Sequence, residues 1–422
     1  MAQVLIIADD LSGAADCASA FVKSGLETLV VIDAHAEQGV AGAGSAKVIS
    51  IDADTRRLPG AEAARTHVDI YRRYRATGQL LYKKIDSTLR GNFAEELASL
   101  VHEAGMAIVA PAFPQAGRFT RNGHQYLNDT PLEKTEIWHG EGIAGTAHIP
   151  GMLAHHGIRT ASIGIDEIRQ GAPHLRSLFE NCAKDGVQAV VCDATTDQDL
   201  QAIAQASIAL VMPRFWVGSA GLANQLPAAA RELLATQVET SAARQAALVS
   251  APTGGSILTV VGSLSGISRS QAEYLFSKGQ TERVDVPAGV LRQGASHSRW
   301  AELRSTLAAS LKAKRDVLVM IGMEGPVDMA EGLQLCQALA QMIAPLASQI
   351  GAIVSTGGET ARAILSAMGA TRLRLIGEIE PGVPLSVADG ARPVTVITKA
   401  GAFGSLDTLF RCHAALRTMR EQ

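Results

Sequence analysis

The chain reads as an α/β protein of two Rossmann-like domains, each with a mostly parallel sheet flanked by helices. Three observations lead there. Short β-branched runs alternate with Ala-rich amphipathic stretches, which is the rhythm of a doubly wound fold. Most of the runs are apolar throughout, as expected of parallel strands covered on both faces. The rhythm lapses once, between residues 236 and 255, and then restarts. A length of 422 residues is also more than one domain usually holds.

In chain order, strands are expected at 4–8, 28–32, 48–51, 80–85, 107–110, 161–165, 189–192 and 215–217. Between them 61–74, 93–104 and 197–206 have helical periodicity. The stretch around Ser250-Ala-Pro-Thr-Gly-Gly255 is small, polar and broken by Gly and Pro, the composition of a linker. Strands resume at 257–261, 282–286, 317–321, 352–355, 373–376 and 394–397. The expected organisation is a first domain over 1–240, a linker over 241–255 and a second domain over 256–422.

Composition narrows the function. Hydrophobic residues make up 47%, aromatic 4% and charged 19%, and the net charge is −3. Nothing here attracts nucleic acid or an anionic membrane. No apolar run is long enough to span a bilayer, and no leader segment is expected, so the expected location is the cytoplasm. The five cysteines are widely spaced with no C-x-x-C pair, which reads as buried thiols rather than a zinc site or a disulfide framework.

In open parallel sheets, ligands bind beyond the carboxyl ends of the strands. The richest exit follows the fourth strand, at Tyr82-Lys-Lys-Ile-Asp-Ser-Thr-Leu-Arg-Gly-Asn92, where cations, a carboxylate and hydroxyls open a helix. A helix cap explains one of these groups but not their density, and an anion site explains the rest. After the first strand comes Asp9-Asp10-Leu-Ser12-Gly13, whose adjacent carboxylates need an offsetting partner. Asp52-Ala-Asp-Thr-Arg56-Arg57 follows the third strand. Pro111–Gly123 reads as a basic, irregular loop fixed by prolines and glycines.

The second half has three Gly-rich exits: Gly262-Ser263-Leu-Ser-Gly266, Thr356-Gly-Gly-Glu-Thr360 and Thr398-Lys-Ala-Gly-Ala-Phe-Gly404. Glycines let backbone N–H groups approach phosphate oxygens, so three such exits point to a nucleotide. The P-loop, the hydrolase elbow and the zincin helix are absent from the sequence, and no dinucleotide fingerprint opens either half.

Taken together, these motifs resemble the four-carbon acid sugar kinase family, in order, from the first strand to the last. The segment 82–92 is the most specific of them. Two positions depart from the family's usual pattern: Ser12 stands for Thr and keeps the hydroxyl, and Ala402 stands for Gly. The resemblance implies an ATP-dependent kinase with an acid-sugar domain first, a nucleotide domain second and the active site in the cleft between them. The acceptor it implies is the terminal C4 hydroxyl of D-threonate, with D-erythronate and 3-oxo-tetronates as alternatives.

The substrate residues so implied are Asp10, Arg56, Lys84, Asp86, Ser87, Thr88 and Arg90. Asp10 is the first choice for the catalytic carboxylate, with Asp86 second. Ser263, Gly357, Gly358, Glu359, Thr360, Gly401 and Gly404 would hold ATP, with Mg²⁺ bridging the phosphates and no dedicated protein metal cluster. Two other classes fit parts of the pattern: a non-catalytic sugar-acid and nucleotide-binding regulator, and a hydroxy-acid dehydrogenase. That no dinucleotide fingerprint opens either half counts against the dehydrogenase. A homo-oligomer is compatible with the sequence, which carries no heptad or apolar stripe to mark an interface.

Overall fold

The structure is a computed structural model that describes residues 3–35, 46–234, 254–263, 265–322, 331–401 and 403–421. It divides into two compact units: Met1–Thr28 with Val40–Val238, and Leu29–Gly39 with Glu239–Gln422. Most of the linker expected at 241–255 lies outside the described residues, as does Ala402.

In the first unit, β1 (Val4–Ala8), β3 (Val48–Asp52), β4 (Leu80–Lys84), β5 (Met106–Ala110), β9 (Thr160–Ile163), β10 (Ala189–Cys192) and β11 (Arg214–Gly218) form a run of parallel strands. Their order is β3-β1-β4-β11-β5-β10-β9. All five residues of β1 and of β5 are buried, which is why those segments read as unbroken apolar runs. From β1 the chain works toward β3; from β4 it works toward β5. The order therefore reverses at the β1/β4 pair, the position where such sheets bind ligands. Register places Ala8 opposite both Asp52 and Lys84, so the exits of β3, β1 and β4 lie level.

The helix Leu11–Lys23 follows β1, Gly60–Tyr74 follows β3, and Phe93–Ala104 follows β4. Each shows the amphipathic spacing of a helix laid on a sheet: in the last, Phe93, Leu97, Leu100 and Val101 are buried.

The expectation of an irregular loop over 111–123 needs correction. Arg118–Arg121 is β6, paired antiparallel with β7 (His124–Leu127), which pairs in turn with β8 (Thr130–Pro131). The turn is Asn122-Gly123, with φ of 50° and 71°. Two left-handed residues make a type I′ hairpin, and Asn-Gly is its strongest sequence signal.

In the second unit, β12 (Ser256–Val261), β13 (Glu282–Pro287), β14 (Val317–Gly322), β15 (Ile350–Thr356), β16 (Arg372–Glu380), β17 (Val383–Ala388), β18 (Val394–Lys399) and β2 (Thr28–Val31) follow the order β13-β14-β12-β15-β18-β17-β16-β2. Pairings from β13 to β18 are parallel; those of β17 with β18, β17 with β16, and β16 with β2 are antiparallel. The strand β17 is not among those expected from the sequence, and it carries Pro384, a residue that sits poorly in a central strand. In the structure Pro384 pairs only with Glu378 of β16, one residue before pairing with β18 begins at Leu385. The helix Thr408–Glu421 closes this core by packing Leu409, Cys412 and Leu416 with Val261, Met320, Val354 and Ile397.

All five cysteines are free thiols, four of them buried and Cys182 half-buried. No helix among the described residues is long and apolar enough to cross a membrane.

Candidate active site

Three strand exits assemble the first cluster. Asp9 and Asp10 follow β1, Arg56 follows β3, and Lys84 to Arg90 follow β4. Asp10 caps the helix Leu11–Lys23: its Oδ1 accepts from the Gly13 amide at 2.8 Å, while Oδ2 accepts from Arg56 Nη1 at 3.0 Å. Asp9 takes the other side of the same guanidinium, accepting from Nε at 2.8 Å and Nη2 at 3.0 Å. Two adjacent carboxylates thus share one cation, which offsets the repulsion their adjacency implies. Asp9 is almost fully buried; burial raises its pKa, but Arg56, Lys83 and Lys84 outweigh that and hold it below the usual carboxylate range. Burial works against the charge of Arg56 as well, yet Asp10, Asp9 and Asp86 keep it firmly protonated.

Glycine is required at two close approaches. A Cβ on Gly13 would lie 2.6 Å from Asp10 Oδ1 and 3.0 Å from Lys84 Nζ. One on Gly91, at φ 84°, would lie 3.0 Å from Asp9 Oδ2.

The segment after β4 is a tight turn, closed by the Leu89 amide donating to Asp86 O at 2.9 Å. Leu89 adopts a φ of 56°. The left-handed region costs a residue with a Cβ about 1–2 kcal/mol, so the surroundings must over-determine this turn. They do so with Asp86 Oδ2, which accepts from Thr88 Oγ1 at 2.6 Å and from Arg90 Nε. Burial raises the pKa of Asp86, but Arg90 and Arg56 together drive it well below the usual range.

Thr88, Ser87 and Lys84 are buried, and Lys84 Nζ donates to Ile85 O at 2.9 Å. Ser87 is steadied from the hairpin, where the fully buried Gln125 donates Nε2 to Ser87 O at 2.8 Å. Asn92 Nδ2 donates to Thr55 O at 2.9 Å and Leu58 O at 2.8 Å, tying the β4 exit to the Arg56 loop. Ser12 Oγ is buried with no hydrogen-bond partner among the described residues. All seven residues expected to hold the sugar acid therefore lie in one cluster or in the turn behind it. The sequence reading singled out the Asp9-Asp10 pair but did not place Asp9 in the site.

The second cluster stands at the exits of β12, β15 and β18, which are neighbours in the sheet. Its glycines serve close packing between loops. A Cβ on Gly262 would meet Thr360 Oγ1 at 2.3 Å, and one on Gly401 would meet Ser263 Oγ at 2.3 Å. Ser263, Thr360 and Gly401 are thereby interlocked, with Gly357 beside Ser263 and hydrogen-bonded from its amide to Lys399 O at 2.7 Å.

The helices Gly266–Ser277 and Gly358–Ala367 open from β12 and β15 without a side-chain cap. Their first-turn N–H groups are the kind that binds phosphate oxygens. Gly358 and Glu359 form the first turn of the latter. Gly404 differs, since its nearest neighbour is Thr408 of the C-terminal helix rather than this cluster.

Lys399 was not among the expected site residues. Its Nζ donates to the carbonyls of Ala400, Gly401 and Phe403 at 2.9, 3.3 and 2.9 Å, and burial brings the amine down to about 8. One sequence feature could have located it: a lysine at the end of an apolar strand, ahead of a Gly-rich exit. Among the described residues no group of three or more His, Cys, Asp or Glu could hold a metal ion.

Comparison with known proteins adds to this geometry. Residues 4–226 match a sugar-binding N-terminal domain, and residues 258–409 match a nucleotide-binding C-terminal domain. A D-threonate kinase of Cupriavidus necator is 45% identical over 99% of this chain and 98% of its own length. The chain belongs to the four-carbon acid sugar kinase family. A more distant member, a 3-oxo-tetronate kinase of Burkholderia multivorans, is 28% identical over 97% of this chain and 96% of its own. A solved structure from Salmonella typhimurium superimposes with a TM-score of 0.77 at 22% identity, covering 98% of this chain and 99% of that one. That likeness concerns the fold alone. Within the family match, the acid-and-base cluster falls in the sugar-binding part and the Gly-rich exits in the nucleotide-binding part.

Proposed function

We propose that the protein transfers the γ-phosphoryl group of ATP to the C4 hydroxyl of D-threonate. The observation that carries this is the mixed-sign cluster at the β1/β4 switch point, where Arg56, Lys84 and Arg90 stand among Asp9, Asp10 and Asp86. A four-carbon sugar acid offers one carboxylate and several hydroxyls, so it needs cations and acceptors within a few ångströms of each other. Lys84 and Arg90 would take the carboxylate. Ser87, Thr88 and the unpartnered Ser12 Oγ would take hydroxyls. Identity to the Cupriavidus enzyme favours D-threonate over D-erythronate or a 3-oxo-tetronate.

Phosphoryl transfer asks the protein mainly for in-line positioning and charge neutralisation. Asp10 is the carboxylate assigned to the attacking hydroxyl. Asp86 is held so far toward its ionised form by Arg90 and Arg56 that it serves better as a fixed acceptor. The uncapped helix starts after β12 and β15 would receive the ATP phosphates, with Ser263, Gly357, Gly358, Thr360 and Gly401 around them. Magnesium has no ready-made cage among the described residues. Glu359 is the carboxylate at that exit and would help hold a magnesium ion carried by the phosphates, whose charge the ion would neutralise. The five free thiols support a cytoplasmic location.

A coupled assay of ADP release tests the reading, run in Mg²⁺ against D-threonate, D-erythronate, L-threonate and 3-oxo-tetronates. The expected result is the highest kcat/KM with D-threonate. No ADP release above the ATP-only rate with any of them would return the chain to the class of non-catalytic binding proteins.

A further inference from the structure

Successive residues of a strand face opposite sides of the sheet, so Lys83 and Lys84 serve different surroundings. Lys84 Nζ lies beside Gly13 at the start of the helix Leu11–Lys23. Lys83 Nζ lies 2.8 Å from Glu96 Oε2 on the helix Phe93–Ala104. Glu96 Oε1 accepts from Thr55 Oγ1 at 2.6 Å, and Thr55, Lys83 and Glu96 are all fully buried. His67, from the helix Gly60–Tyr74, closes the group, with Nδ1 3.0 Å from Ala63 O and 3.6 Å from Glu96 Oε1. Burial brings His67 down to about 4, so it is neutral at pH 7 and leaves the Lys83–Glu96 charge balance intact.

This buried group touches the substrate cluster from behind at two exits. Thr55 precedes Arg56, and both backbone amides donate to Asp9 O, at 3.1 and 3.3 Å. Lys83 Nζ also donates to Lys84 O at 2.9 Å. Glu96 thus bonds to both the β3 exit, through Thr55, and the β4 strand end, through Lys83. A buried ion pair adds little net stability compared with apolar residues of the same size. Stability alone does not account for it.

We propose that Glu96 is a positioning residue, which through Thr55 and Lys83 sets the spacing between Arg56 and Lys84 that the sugar acid requires. The proposal rests on the sugar-acid reading of that cluster.

The test uses the full chain and measures KM for D-threonate and for ATP separately, together with thermal melting. Thr55→Val removes one hydroxyl and leaves every charge in place. It is expected to raise KM for D-threonate about tenfold, the equivalent of one buried hydrogen bond, with KM for ATP within about twofold of wild type. Thr55→Ser, which keeps the hydroxyl, is expected to restore most of the loss. Glu96→Gln should act in the same direction and more strongly; if it fails to fold, the Thr55 pair decides.

Variants that melt earlier but keep KM for D-threonate within about twofold of wild type, a few tenths of a kcal/mol, would overturn the proposal and leave Glu96 a purely structural group. Arg56→Ala separates the two readings. If it raises KM for D-threonate while Thr55→Val does not, only the positioning role fails. If it too leaves KM unchanged, the substrate site and the positioning role fail together.

Discussion

Asp9, Asp10 and Asp86 carry the same functional group in one cluster, and their partners give them different work. Asp9 is held at both oxygens by Arg56. Asp86 is fixed by Arg90 and Thr88, and its basicity is correspondingly low. Asp10 divides itself between the Gly13 amide and one Arg56 nitrogen. Each of its oxygens keeps a lone pair, so it can turn one toward a substrate hydroxyl without leaving its cap. Asp10→Asn keeps the shape and an acceptor oxygen but removes the charge. It is expected to lower kcat at saturating D-threonate by about a hundredfold or more, the usual scale for losing a proton acceptor. Turnover within about fivefold of wild type, roughly 1 kcal/mol of barrier, would take Asp10 out of that role.

Among the elements, those whose pattern is local could be read directly. The parallel strands are apolar runs, and the exit of β4 stands out because a polar cluster follows two lysines inside a buried strand. Non-local pairing could not be read. Residues 28–31 read correctly as a strand, but nothing near them says that Val30 pairs with Leu373. The strand β17 is not among those expected, and its Pro384 sits poorly in a central strand. The Asn122-Gly123 turn was present in the sequence, but the prolines and glycines before it drew the reading toward an irregular loop.

That hairpin bears on the site. Gln125 of β7 accepts from Thr120 Oγ1 at 2.8 Å and donates to Ser87 O at 2.8 Å, both inside the protein. Gln125→Leu would leave the Ser87 carbonyl buried without this donor, a cost of about 1–3 kcal/mol. The expected outcome is a loss of that size in denaturant unfolding together with a several-fold rise in KM for D-threonate. An unchanged KM would show that the hairpin supports the fold and not the turn at Ser87.

Over the whole molecule, the candidate residues partition cleanly: the acid-and-base cluster belongs to one compact unit, the Gly-rich exits to the other. Their chemistry differs accordingly. The helix after β1 is capped by Asp10, whereas the helices after β12 and β15 open without a side-chain cap. A carboxylate cap belongs where hydroxyls must be accepted, and uncapped amides belong where phosphate is bound.

This division makes the two ligands separable by mutation. Gly13→Ala would force the Asp10 carboxylate from its place, since the new Cβ would sit 2.6 Å from Oδ1. Gly401→Ala would press on Ser263 Oγ at 2.3 Å. The first is expected to raise KM for D-threonate about tenfold or more and leave KM for ATP nearly unchanged; the second should do the reverse. Sites without shared partners contribute additively, so in the double variant each KM should keep its single-variant value within a few tenths of a kcal/mol, about twofold. A double variant in which either KM moves well beyond its single-variant value would mean that the two sets of residues answer to a common element, and that assigning one ligand to each unit is wrong.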